Sequence, residues 1–143
     1  MDLILPDLES FKTDEEDSQY LNLFKYMNNI GGIFVAKTVN FVINPWNYGT
    51  ETDHYNLSFP GTLKVLGNVK FYDAGFINIG FKLEVYGDLI VSETIFINPD
   101  IKVINGRVRY FISAADCRAN ESICLKNIDY LSKLSSDFRY EFD

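Results

Sequence analysis

Leu63-Lys-Val-Leu-Gly-Asn-Val-Lys-Phe71, Leu83-Glu-Val-Tyr-Gly-Asp-Leu-Ile-Val91 and Ile101-Lys-Val-Ile-Asn-Gly-Arg-Val-Arg-Tyr110 are three versions of one phrase. Each reads apolar-x-Val, a turn, then apolar-x-apolar. The alternation is that of a half-buried strand, and the turns (Gly67-Asn68, Gly87-Asp88, Asn105-Gly106) use residues that tolerate left-handed backbone angles. A weaker version, Ile33-Phe-Val-Ala-Lys-Thr-Val-Asn-Phe41, has Lys37-Thr38 in place of the turn, and the last version gains one turn residue. A third apolar piece follows the first three: Leu57-Ser-Phe59, Phe76-Ile-Asn-Ile79 and Thr94-Ile-Phe-Ile97.

The copies begin 30, 20 and 18 residues apart. A strand-rich period of about 20 residues suits stacked β-coils, in which no coil can bury its inward face alone. The spacing therefore predicts a mainly β chain with flanking α: a short β-solenoid of three to four coils of about 20 residues. Val65, Val85 and Val103 would form an inward ladder. The alternative is an antiparallel β-sandwich or barrel with two helices, since Gly-Asn and Gly-Asp are also hairpin signals. The recurrence of one pattern in one order favours the parallel stack.

Outward from the repeats, both flanks read as helices that could cover the exposed strand edges of a stack. Residues 14–30 begin with Thr13 and Asp14-Glu15-Glu16, a capping box. Tyr20, Leu23, Phe24, Met27 and Ile30 follow as one apolar stripe, and Gly31-Gly32 ends it. Residues 121–136 follow Asn120 as a cap and put Cys124, Ile128, Leu131 and Leu134 on one face. The organisation expected is a single domain, 1–143, with an N-terminal capping helix at 14–30, a β-repeat region at 33–113 and a C-terminal helix at 121–136. The tail, Asp137-Phe-Arg-Tyr-Glu-Phe-Asp143, keeps three aromatics and so is expected to pack or bind.

The pattern apolar-x-Val-x-Gly-Asn/Asp-apolar-x-apolar over 33–113 resembles the short LRR-like β-solenoid repeats of bacterial and tailed-phage proteins of unassigned role. Phe59-Pro60 and Asn98-Pro99 stand where that family often carries Leu-Pro. The resemblance implies a scaffold for binding, often on a mobile genetic element, with no shared catalytic residues.

Composition narrows the function classes. At 143 residues with 47% apolar and 15% aromatic side chains, the chain can bury a core and is not disordered. The net charge of −7 is concentrated at the start, where Asp2, Asp7, Glu9, Asp14, Glu15, Glu16 and Asp17 face Lys12 alone. Such a chain is repelled by nucleic-acid phosphates and anionic membranes and is drawn to a basic protein surface. No apolar run is long enough to span a membrane, and the first residues lack a basic segment before an apolar one, so a cytoplasmic protein is expected (of the host cell, if phage-encoded). Cys117 and Cys124 read as reduced thiols, with a local disulfide as the alternative.

The one departure from the repeat is the longer first copy. Its extra residues fall in Pro45-Trp-Asn-Tyr-Gly-Thr-Glu-Thr-Asp-His-Tyr55, which holds the only Trp and the only His. Trp46, Tyr48, Asp53, His54 and Tyr55, together with Glu15, Glu16 and Asp17, are the candidate partner-binding residues. The alternative for the aromatic loop is that it folds down to seal the coil edge. Glu51, Asp53 and His54 lack the second ligand group that a metal site needs, and no phosphate loop, nucleophile elbow or zinc motif is present. No cofactor or metal is expected. Three classes follow. The first is a non-enzymatic intracellular protein-binding module, such as a phage-encoded inhibitor of a host or defence protein or an immunity-type protein. The second is a structural, virion or self-assembling component, which would be a homo-oligomer. The third is an enzyme centred on His54.

Overall fold

The structure is a computed structural model that describes residues 2–4, 8–12, 26–27, 29–42 and 54–142, with backbone alone for 2–4, 8–12 and 42. Its strands are β1 (Asp2–Ile4), β2 (Leu8–Lys12), β3 (Gly32–Ala36), β4 (Val39–Val42), β5 (Tyr55–Val65), β6 (Val69–Val85), β7 (Leu89–Ile97), β8 (Ile101–Val103), β9 (Val108–Ile112) and β10 (Phe138–Phe142). Two helices, α1 (Ala114–Ala119) and α2 (Glu121–Ser132), separate β9 from β10. The chain is mainly β. All nine pairings among these strands are parallel, which excludes the antiparallel alternative.

The pairings resolve into three ladders, because β5 and β7 each serve two of them and β6 serves all three. In the first ladder Leu3, Phe34, Leu63, Leu83 and Ile101 lie in register. Ala36, Val65, Val85 and Val103 form a parallel row beside them. The second ladder aligns Leu8, Val39, Val69, Leu89, Val108 and Phe138. The third aligns Tyr55, Ile77 and Phe96. Period-2 alternation sends these rows to one interior: Phe41, Phe71, Val91 and Tyr110 are fully buried. Phe41 stacks on Phe71 at 4.5 Å and Phe59 on Phe81 at 4.7 Å. A fully buried side chain of this size contributes about 2–3 kcal/mol.

The turn residues fit for a reason other than the expected one. Left-handed angles occur at Asp73, Glu93, Asn98, Gly31, Gly32 and Gly75, and at none of Gly67, Asn68, Gly87, Asp88, Asn105 or Gly106. What the repeat glycines supply is closeness. A Cβ on Gly67 would sit 2.7 Å from the Lys37 carbonyl oxygen, one on Gly87 would sit 2.5 Å from the Gly67 carbonyl, and one on Gly106 would collide with the Gly87 carbonyl. Successive turns lie so near that side chains are excluded between them. The polar residue of each turn links to the next: Asp88 N–H donates to Asn68 Oδ1 at 2.9 Å, and Arg107 N–H to Asp88 Oδ1 at 2.8 Å.

Other expectations are corrected. The β region extends beyond 33–113, to β1 and β2 before it and β10 after it. The helix expected at 121–136 is present as α2, four residues shorter at its end, and a further short helix that was not expected, α1, precedes it. Ser113 caps α1 by accepting from Asp116 N–H, α2 ends at Ser132, and Asn120 makes no side-chain capping bond to α2. The paired thiols are a disulfide, Cys117–Cys124, with Cα atoms 5.4 Å apart, joining the helices across their junction. Most of the helix expected at 14–30, including its capping box, lies outside the described residues. At its end Tyr26, Met27, Asn29 and Ile30 are helical. Gly31 stops the turn at φ +63° with its N–H donated to the Met27 carbonyl at 2.9 Å. Met27 is buried, but Ile30 is 52% exposed, so it does not continue the apolar stripe.

Candidate functional site

Of the residues singled out for binding, His54 and Tyr55 are described; Trp46, Tyr48, Asp53, Glu15, Glu16 and Asp17 lie outside the described residues, as does Glu51. Tyr55 opens β5 in register with the buried Ile77, and it packs against the core. The alternation of β5 thus accounts for its half-burial. His54 is half-buried and immediately precedes the same strand. Val42 and His54 bracket the connection between the second and third ladders. Later levels turn this corner at Asp73-Ala74 and at Glu93 alone, with Asp73 and Glu93 at φ +51° and +49°.

Two cavities flank the helices. One, of about 510 Å³, lies between Asn98-Pro99 and α2, with Phe96, Ser122, Lys126 and Tyr130 on its walls. Its deepest polar groups are already committed. Phe96 N–H donates to Asn127 Oδ1 at 3.3 Å, and Asn127 Nδ2 donates to the Thr94 carbonyl at 3.4 Å. Tyr110 Oη donates to that carbonyl at 2.8 Å, and Thr94 Oγ1 accepts from Ala74 N–H while donating to the Ser92 carbonyl. Ile101 N–H donates to Tyr130 Oη at 2.9 Å. β7 and β8 are the last strands of the third and first ladders, so α2 supplies side-chain partners where a further strand would have supplied backbone. Burial raises the Tyr110 and Tyr130 phenols above their usual range, with Glu93 and Asp100 respectively adding to the effect.

The second cavity, of about 300 Å³, sits at the corner between the second and third ladders and carries Asp73, Glu93 and Asp116. Glu93 Oε2 accepts from Ser113 N–H at 3.1 Å, which ties α1 to this corner. Among the described residues no group of three His, Cys, Asp or Glu side chains is arranged to hold a metal ion. None of their helices is long and apolar enough to cross a membrane.

The exposed apolar surface lies elsewhere. Leu66, Tyr86 and Ile104 each open a turn, and each donates its N–H to the strand one level back, to Ala36, Val65 and Val85 respectively. They therefore occupy equivalent positions on successive levels, about 4.8 Å apart. Leu66 is 56% and Tyr86 37% exposed, and Ile104 is half-buried. The signal was present in the repeat: the residue between its Val and its turn dipeptide is apolar in all three copies. A second exposed strip is β10, where Tyr140 and Phe142 are each 49% exposed beside the half-buried Phe138. Matched against protein-family models, curated proteins and solved structures, the chain finds no counterpart in any of the three.

Proposed function

We propose that the chain winds as a short β-solenoid and serves as a non-enzymatic scaffold that binds another protein, in the manner of an inhibitor or immunity-type protein. The winding is supported by the exclusively parallel pairing, the three ladders and the stacked glycine turns. One observation carries the binding role: the ridge of Leu66, Tyr86 and Ile104, apolar side chains held on successive turns, the first two exposed and the third half-buried. Aromatic and aliphatic anchors on a fixed frame lose little entropy on contact, which is the property of interface hot spots. Trp46, Tyr48, Asp53 and His54, in the long connection after β4, form a second contact surface in this reading. The acidic Glu15, Glu16 and Asp17 favour a partner with a basic face.

A photo-reactive phenylalanine analogue in place of Tyr86 tests the proposal in the cells that make the protein. The expected result is a covalent adduct to one other protein, with none when the same group replaces Asp129 on α2. Absence of an adduct at position 86 would contradict the proposal, and an adduct only to a second copy would favour the structural component instead. With the partner in hand, Trp46→Ala is expected to weaken binding by about 2 kcal/mol while thermal unfolding stays unchanged.

A further inference from the structure

We infer that β10 is a self-association strand, through which two copies of this chain join as an antiparallel pair about a two-fold axis. The inference is independent of the function proposed for the turn ridge. β10 ends the second ladder: it pairs with β9 along one edge, and no described strand pairs with the other. Val108 N–H donates to the Asp137 carbonyl at 3.0 Å. By strand alternation Arg139 and Glu141 also turn their amides towards β9. The N–H and C=O groups of Phe138, Tyr140 and Phe142 are then left at the outer edge.

The residue order names the occupant. Phe138-Arg-Tyr-Glu-Phe142 reads aromatic, basic, aromatic, acidic, aromatic, and so is complementary to itself when reversed. An antiparallel pair centred on Tyr140 sets Phe138 opposite Phe142 of the other copy and Tyr140 opposite its equivalent. On the other face, Arg139 lies opposite Glu141 at both ends. Tyr140 has its backbone groups on the free edge, so the central pair exchanges two N–H···O bonds. A parallel pair of copies would set Arg139 against Arg139 and Glu141 against Glu141, which is unfavourable. The aromatic face is preassembled, with ring centroids 6.0 Å apart for Phe138–Tyr140 and 5.5 Å for Tyr140–Phe142. β10 also lacks the proline, bulge or inward lysine with which edge strands block such pairing. The pairing is isologous, so it closes at two copies and does not propagate. A single strand pair is a small interface, so the dimer should dissociate on dilution within the micromolar range.

Sedimentation equilibrium of the full chain across that range tests the inference. The expected mass rises from the 16.4 kDa monomer towards its double and no further. Arg139→Glu and Glu141→Arg should each weaken association by at least roughly tenfold, because each puts like charges opposite one another. An equimolar mixture of the two variants restores opposite charges at both ends and should recover a heterodimer. The double variant R139E/E141R should recover the homodimer. A chain that stays monomeric throughout, a dimer indifferent to the single substitutions, or a mixture that fails to associate would overturn the inference. Circular dichroism of each variant separates loss of pairing from loss of folding, and the mixture and double variant keep the test decisive.

Discussion

The first and third ladders end beneath a helix, while the second ends in a bare strand. Every parallel ladder leaves its last strand with backbone groups that must find partners. In the third ladder the Asn127 carboxamide takes the Phe96 N–H and the Thr94 carbonyl, and in the first the Tyr130 hydroxyl takes the Ile101 N–H. The second ladder adds β10 instead, which satisfies β9 and moves the same requirement one strand outward. A capped end stabilises the chain, and an uncapped one is an opening for another chain. The difference lies in which residue type meets the edge: a side-chain amide or phenol on a helix, or one more strand with aromatic side chains.

Substitutions at the two kinds of end should therefore differ. Asn127→Leu keeps the branched shape of a side chain that is 4% exposed, but leaves the Phe96 N–H without an acceptor. Denaturant unfolding should show a loss of about 2–3 kcal/mol. Next comes the Cys117–Cys124 bond, which holds α1 to α2 under the capped end. Reducing it, or replacing both residues with Ser, should cost about 2 kcal/mol. Tyr130→Phe removes the acceptor of the Ile101 N–H and should cost about 1 kcal/mol. At the open end Arg139→Ala should change monomer stability by no more than about 0.5 kcal/mol, its effect appearing in self-association alone. Equal losses at both ends would dissolve the distinction.

The capped end also has a pH signature. Burial raises the phenols of Tyr110 and Tyr130, so the folded chain holds these protons more tightly than the unfolded chain, whose tyrosines titrate near pH ~10. Their contribution to stability is complete below that value and is lost as the pH rises past it. Unfolding followed by circular dichroism should therefore begin above pH ~10. Tyr110→Phe, which removes one titrating group, should move the alkaline midpoint upward.

The strand repeat was legible because inward valines and close-packed turns demand particular residues at particular spacings. Val65, Val85 and Val103 fall into register as their spacing implies. The role of Gly87 was not legible: close approach and a left-handed φ both select glycine, and only coordinates separate them. β1, β2 and β10 escaped notice because a strand at the end of a stack contributes no repeat of its own. Their residues match the columns they join, as Leu8 and Phe138 match Val39 and Val108, but no turn dipeptide marks them. The cap was hidden for a different reason. Asn127 and Tyr130 bond to strands about thirty positions away in sequence, a relation with no local pattern. The ridge residues Leu66, Tyr86 and Ile104 could be read as a column from the repeat, but not as exposed.

The parallel stack itself is most directly tested by nitroxide labels at Lys64 and Lys102, which lie in one outward row with Glu84 between them. Two inter-strand steps separate their backbones by about 10 Å. Continuous-wave EPR of the doubly labelled chain should therefore show strong dipolar broadening relative to the two singly labelled chains. A doubly labelled spectrum equal to the sum of the single ones would put these residues on unrelated strands and contradict the stack.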